Sequence, residues 1–226
     1  GGNYYAWMNP FPLLPNHVVV ASQHHVPQGL KLFSNRKEDS DLEQVLTDLC
    51  ETARQLPKHV GFYNGIGAGA SIPGHLHFQF FQRDPKTPKF PLEERSFKRA
   101  TDSSGPEFIL DYPICVGRWR GLLSEVVSNS CDWITRWAMK NRCGKERLTA
   151  NFVATCSPAN DDLVLYFVPR NRDKQFWNGD KGIVGGLEVL GELVMASDEE
   201  CALVENGVID YKFIENALSF VNTPAV

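Results

Sequence analysis

Excess charge of either sign is scarce in this 226-residue chain: 23 Lys and Arg stand against 27 Asp and Glu, a net charge of −4. The basic footprint that neutralises a phosphate backbone is therefore missing overall, which argues against a nucleic-acid partner. Long apolar runs are missing too. Runs such as residues 163–168 fall far below the roughly 18 residues of a spanning helix, so no membrane partner is expected. None of the six cysteines (Cys50, Cys115, Cys131, Cys143, Cys156, Cys201) forms a C-x-x-C pair. That spacing argues against a cysteine zinc site and fits reduced thiols. The chain opens Gly1-Gly2-Asn3 without a signal-peptide pattern, so a cytoplasmic location is the expectation. No solenoid-period repeat and no low-complexity tract is visible. What is there, 42% hydrophobic and 22% charged, is a globular composition. The length suits one large domain or two small ones.

Local patterns predict the elements. Three prolines make residues 9–15 an extended lead-in, because each fixes φ and pushes its predecessor out of the helical region. Residues 17–21 are β-branched and short, a strand. Ser40-x-x-Glu43 reads as a capping box. Leu42, Val45, Leu46, Leu49, Ala53 and Leu56 then recur at helical spacing until Pro57, giving a helix over 41–56. Strands are expected over 60–64, 75–82, 107–116, 148–155 and 163–168, with an exposed excursion or a mobile loop over 84–105 and a turn over 157–161. Leu122 to Ala138 marks a second helix, with Gly144 placed for its C-terminal cap. Residues 182–196 read as extended and 209–221 as a closing helix. Short connections between strands favour antiparallel pairing, hence an α+β fold.

Residues 63–80 carry the chemistry. On a strand, His75, His77 and Gln79 share one face, while Leu76, Phe78 and Phe80 point to a core. Just upstream, Gly65, Gly67, Gly69 and Gly74 permit conformations that other residues avoid, and such a loop turns backbone N–H groups toward an anion. Ser71 adds a hydroxyl donor. Three readings stay open: an outward polar face with no chemistry, a two-histidine metal site completed by His17, His24 or His25, and nucleophilic catalysis at phosphorus.

Asn64-Gly65-x-Gly67-Ala68-Gly69-Ala70-Ser71 followed by His75-x-His77-x-Gln79 resembles the histidine-triad superfamily. The likeness is to the branch with galactose-1-phosphate uridylyltransferase, diadenosine tetraphosphate phosphorylase and GDP-hexose phosphorylase, where glutamine replaces the last histidine, as at Gln79. Asn9-x-Phe11-Pro12-x-x-Pro15-x-His17-x-Val19-x-Ala21 and Val26-Pro27-Gln28 are similar to its lead-in strand. Tyr166-Phe167-Val168-Pro169-Arg170 resembles the second half of the phosphorylases, and the stretch from Gly185 to Met195 that of the GDP-hexose enzymes.

The resemblance implies a histidine-triad-like antiparallel sheet packed by helices, with two related halves, residues 1–116 carrying the motif and 117–226 packed on it. It implies further strands before the lead-in, close to which this sequence begins, so the expectation is either a reduced nucleotide pocket or a part that is missing here. The activity implied is nucleotidyl transfer, with phosphate or a sugar phosphate as acceptor. The donor is a nucleotide sugar or a dinucleoside polyphosphate; a non-catalytic nucleotide-binding homologue is the alternative. By the resemblance His77 is the nucleophile, neutral, its tautomer fixed by a bond from the other nitrogen to a backbone carbonyl. Gln79 bonds the phosphoryl oxygen, His75 and Ser71 contact phosphate or position neighbours, and Asn64 orients the loop or binds phosphate. Gly69, Ala70 and Gly74 belong to the phosphate-binding loop. No metal and no cofactor is carried over, and a homodimer through sheet edges is an expected partner. Trp7, Tyr4 and Tyr5 are read as core, His17 as structural, and Arg170, Arg172 and Lys174 as a solvated loop. Arg118 and Arg120 are ambiguous.

Overall fold

A computed structural model describes residues 2–31, 40–86, 89–99, 103–141, 148–157, 162–171, 184–195 and 197–223. Nine strands form one sheet in the order β1 (Tyr4–Met8), β2 (Val18–Ser22), β6 (His77–Gln82), β5 (His59–Asn64), β10 (Ala150–Cys156), β11 (Leu163–Pro169), β9 (Gly117–Gly121), β8 (Glu107–Ile109) and β7 (Phe97–Lys98). Every neighbouring pair is antiparallel. β3 (Leu30–Lys31) and β4 (Ser40–Asp41) make a separate parallel pair. The fold is thus α+β. β5 and β10 are neighbours, so strands from both sides of residue 117 share the sheet.

Strand alternation gives the sheet two different faces. Phe78 and Phe80 of β6, Tyr63 of β5 and Phe152 of β10 point to a core under α1 (Leu42–Gln55) and α2 (Leu123–Asn141). The stripe Leu42, Val45, Leu46, Leu49 and Ala53 of α1 is buried there, because spacings of three and four residues keep it on one face. Asp48 of α1 accepts hydrogen bonds from the Tyr4 hydroxyl at 2.7 Å and the Gly2 N–H at 3.1 Å, which fastens β1 to the helix. Phe62, Phe81, Val153 and Val168 point the other way, into a second core with α3 (Gly186–Leu190), α5 (Tyr211–Phe220) and the 3-10 turn Pro91–Glu94. α4 (Asp198–Glu205) has no buried residue. The His77 face is therefore apolar further along β6, where Phe81 joins the second core.

Several expectations differ in detail. The N-cap of α1 is Asp41, whose carboxylate accepts from Gln44 N–H at 3.2 Å, while the Ser40 hydroxyl donates to Pro27 O. Within 84–105, Phe90 and Leu92 are buried, so this stretch is not simply an exposed excursion. The strand expected over 107–116 ends at Ile109, where Asp111 adopts φ 53°. The chain turns back there, and β9 runs antiparallel beside it from Gly117. Residues 186–190 are helical rather than extended, because the Glu188 carboxylate reaches back to the Gly185 N–H at 2.9 Å and caps the turn. Gly144, residues 158–161, Cys143, Arg172 and Lys174 lie outside the described residues. Among the described residues no helix is long and apolar enough to cross a membrane.

Candidate active site

His77 opens β6 and is buried on the second face of the sheet. Its Nδ1 lies 2.9 Å from the carbonyl oxygen of His75. A carbonyl only accepts, so Nδ1 carries the proton and Nε2 presents its lone pair. Burial pulls the pKa of His77 below its ordinary value; the bond to His75 opposes this shift and the nearby His75 ring reinforces it. The imidazole is therefore neutral near pH 7, the form that attacks an electrophile. His75 is half-buried, and its Nε2–H donates to Ser22 O at 2.8 Å, so its ring is tied to the end of β2.

Gln79 follows on the same face, beside His17, which the fold buries completely. Asn9 Nδ2 lies 3.1 Å from His17 Nδ1 and 3.3 Å from Nε2, and the Leu13 N–H, which can only donate, points to Nδ1 at 3.4 Å. Its proton is therefore on Nε2, and the ring hydrogen-bonds the Gln79 side chain. A ring N–H takes the amide oxygen, so the Gln79 side chain is held against His17. Burial lowers the His17 pKa and keeps the ring neutral. His17 is fully buried, in line with the structural reading of its sequence, and it packs against Gln79.

The glycine loop sits beside this pair and rests on a buried polar chain. Asn64 Oδ1 accepts from Asn151 Nδ2 at 2.7 Å, and Asn64 Nδ2 donates to Gly69 O at 3.4 Å. Asn151 Nδ2 also donates to Ala68 O at 2.8 Å, and its Oδ1 accepts from Arg170 Nη1 at 2.6 Å. Arg170 Nη2 donates to Val184 O at 2.7 Å. Arg170 is only 3% exposed, which corrects the solvated reading; burial brings its pKa down to about 10. Asn64 uses both ends of its amide inside the protein, which ties Gly69 of the loop to Asn151 of β10. Gly69 has φ +93°, and a Cβ there would stand 2.6 Å from Gly185 Cα. Gly69→Ala is expected to cost about 2–4 kcal/mol, from left-handed strain plus backbone collision, measured by urea denaturation. Gly74 is different: it is exposed, and a Cβ there meets nothing within 4 Å, so no steric demand explains that glycine. Ser71 is exposed and Ala70 half-buried on the rim of the loop.

Register places two aromatics beside the site. Tyr5 is opposite Ala21, which is opposite His77; Trp7 is opposite Val19, which is opposite Gln79. Directly paired residues share a face, and two strand spacings are about 10 Å. Tyr5 and Trp7 are 62% and 45% exposed, which corrects the core expectation; only Tyr4, on the other face, packs on the core. Arg118 and Arg120 lie far across the sheet on β9, paired with Glu107 at 2.6 Å and Asp162 at 2.8 Å. Among the described residues no cluster of three His, Cys, Asp or Glu side chains is placed to hold a metal ion.

A family described as a domain of unknown function (DUF4922) matches residues 1–82. No curated protein matches the chain. Among solved structures, the yeast Ap4A phosphorylase superposes with a TM-score of 0.63 at 17% identity, over 98% of this chain and 72% of that one. The same yeast enzyme in complex with Ap4A gives 0.62 at 16% identity, over 98% and 74%. A uridylyltransferase superposes with a TM-score of 0.44 at 14% identity, over 96% and 85%. The chain has the histidine-triad-like α+β fold that the Ap4A phosphorylase also has.

Proposed function

We propose that the protein transfers a nucleotidyl group through a covalent intermediate on His77. The observation that carries this reading is the His77 tautomer: Nδ1 is committed to the His75 carbonyl at 2.9 Å, and a neutral Nε2 is left free beside a glycine loop. Nε2 attacks the α-phosphorus of a nucleotide, a P–N bond forms, and the P–O bond to the leaving phosphate breaks. The imidazole becomes cationic, which strengthens the Nδ1–H bond to the His75 carbonyl. The side-chain amide of Gln79 and the N–H groups of the loop hold the phosphoryl oxygens as charge develops. Ser71, Ala70 and the rim of the loop contact phosphate. An oxygen of inorganic phosphate or of a sugar phosphate then attacks phosphorus, and His77 leaves neutral. The nucleoside lies across Ala21 and Val19, its base against Trp7 or Tyr5.

Two donor classes fit this site, a nucleoside-diphosphate hexose and a dinucleoside polyphosphate. The fold likeness to the Ap4A phosphorylase, solved with Ap4A and with AMP, favours the second. The stretch from Gly185 argues less for a sugar than its sequence suggests, because Gly186 has a packing reason of its own. A Cβ there would meet Phe62 Cδ2 at 2.7 Å and Asn64 Oδ1 at 2.9 Å.

Intact-protein mass spectrometry tests the reading. The protein is incubated without phosphate with GDP-, UDP- and ADP-sugars and with diadenosine tetraphosphate. A mass gain equal to one nucleotidyl group confirms the intermediate and identifies base and donor; donors that bind without any adduct point to a non-catalytic homologue. The pH profile is a second check. Lowering the His77 pKa extends the neutral form toward acid, so the acid limb of kcat/KM is expected below pH 6.5, and a limb above that value contradicts the assignment.

A further inference from the structure

The geometry points to Gln28 as a positioning residue that holds open the fork between β5 and β6, and so fixes the distance between His77 and the glycine loop. β5 and β6 pair from His59 opposite Gln82 to Phe62 opposite Gln79. Continued in that register, Asn64 would pair with His77. The ladder stops short of that pair, and the side chain of Gln28, fully buried, takes its place. Its Nε2 donates to Asn64 O and to His77 O, each at 3.0 Å. Its Oε1 accepts from the His77 N–H at 2.8 Å. One amide thus satisfies three backbone groups from the two strand ends that flank the loop.

Gln28 is itself held from three sides. Its N–H donates to Pro73 O at 3.0 Å, and its carbonyl accepts from the Tyr63 hydroxyl. The neighbouring Val26 carbonyl accepts from the Leu76 N–H at 2.6 Å. Only glutamine does this in one step. Asparagine is a methylene shorter, glutamate has no donor for two carbonyls, and an apolar side chain leaves three buried groups unpaired. Without the wedge, His77 and Asn64 satisfy each other by pairing directly, which draws the loop toward the nucleophile and narrows the space for phosphate. Gln28 touches no reacting atom; it acts through the backbones of His77 and Asn64.

The inference rests on the nucleotidyl-transfer reading, and the test separates the two. Gln28→Met and Gln28→Glu are compared with the native protein, using whichever donor labels His77. Single-turnover labelling is expected to slow about 100-fold, the cost of roughly 1 Å of misplacement, while the donor dissociation constant changes less than about threefold. Ile134→Ala, a truncation in the helix-side core, supplies a folding-matched control that labels at the native rate. In parallel, NMR of the free protein is expected to show a cross-strand contact between Asn64 and His77 backbone protons in Gln28→Met that the native protein lacks. Labelling at the native rate in both variants overturns the inference. If the native protein labels with no donor, the transfer reading fails, and the NMR result alone decides: the new contact upholds the wedge, and its absence overturns it. If Gln28→Met does not fold, Gln28→Glu, which keeps the length and the acceptor, carries both readouts.

Discussion

His77→Asn is expected to abolish nucleotidyl labelling, with turnover falling at least about 10⁴-fold, while the fold stands. The choice of asparagine follows from the hydrogen bond at 2.9 Å between His77 Nδ1 and the His75 carbonyl. The asparagine Nδ2–H occupies nearly the place of Nδ1–H and keeps that bond. The nitrogen lost is Nε2, the one with the free lone pair. Stability should change by less than about 1.5 kcal/mol, because a small polar side chain replaces a ring that is mostly but not fully buried. Alanine would confuse the two effects by leaving the His75 carbonyl without its donor. Urea denaturation and intact mass, measured on the same sample, separate the outcomes. A stable variant that still gains a nucleotidyl mass would place the covalent bond on another side chain and would end the His77 assignment.

That His77 and Gln79 share a face was legible because strand alternation is local. His77 and Gln79 are two residues apart, and any strand over 77–82 puts them on one face. The residues that support them come from other strands, and their partnership is created by register. His17 meets Gln79 because β2 pairs with β6. Its sequence signal, a histidine opening an apolar strand eight residues after Asn9, is compatible with any buried histidine. Asn151 and Arg170 stand 87 and 19 residues from the partners Asn64 and Asn151 that give them meaning. Arg170 ends an apolar strand and is followed by polar residues, so its composition reads as loop although the fold encloses it. Tyr5 and Trp7 look like core by type. They are exposed because β1 is the edge of the sheet, and an edge is a property of topology. α3 has five residues, too few for a helical period to show, and its cap depends on the reach of one carboxylate.

Arg170→Met is expected to lower stability by about 2–4 kcal/mol and to slow labelling of His77 by about 10-fold or more without touching any group that contacts substrate. Two terms oppose each other. Burial of the guanidinium is costly, as its lowered pKa of about 10 shows, so removing the charge relieves a penalty. Against this, Asn151 Oδ1 and Val184 O lose their donors inside the protein. Each unpaired buried acceptor costs about 1–3 kcal/mol, and Glu188 loses the favourable field of a nearby cation. The Arg170 Nε atom has no partner among the described residues, so it adds nothing to the loss. The unpaired acceptors win because there are two of them and methionine offers neither a donor. The effect on the site then follows the hydrogen bonds. With its oxygen unpaired, the Asn151 amide is free to turn, and its Nδ2 is what holds Ala68 O at 2.8 Å and Asn64 Oδ1 at 2.7 Å. The glycine loop loses its anchor while the His77 bond to His75 stays intact. Arg170→Lys sharpens the test: an ammonium has donors but not the planar fork that reaches both acceptors, so it should recover part of the stability and little of the rate. Equal recovery of both by lysine would show that charge alone matters at this position. Unchanged labelling in a destabilised Arg170→Met would show that the loop holds its shape without the buried chain beneath it.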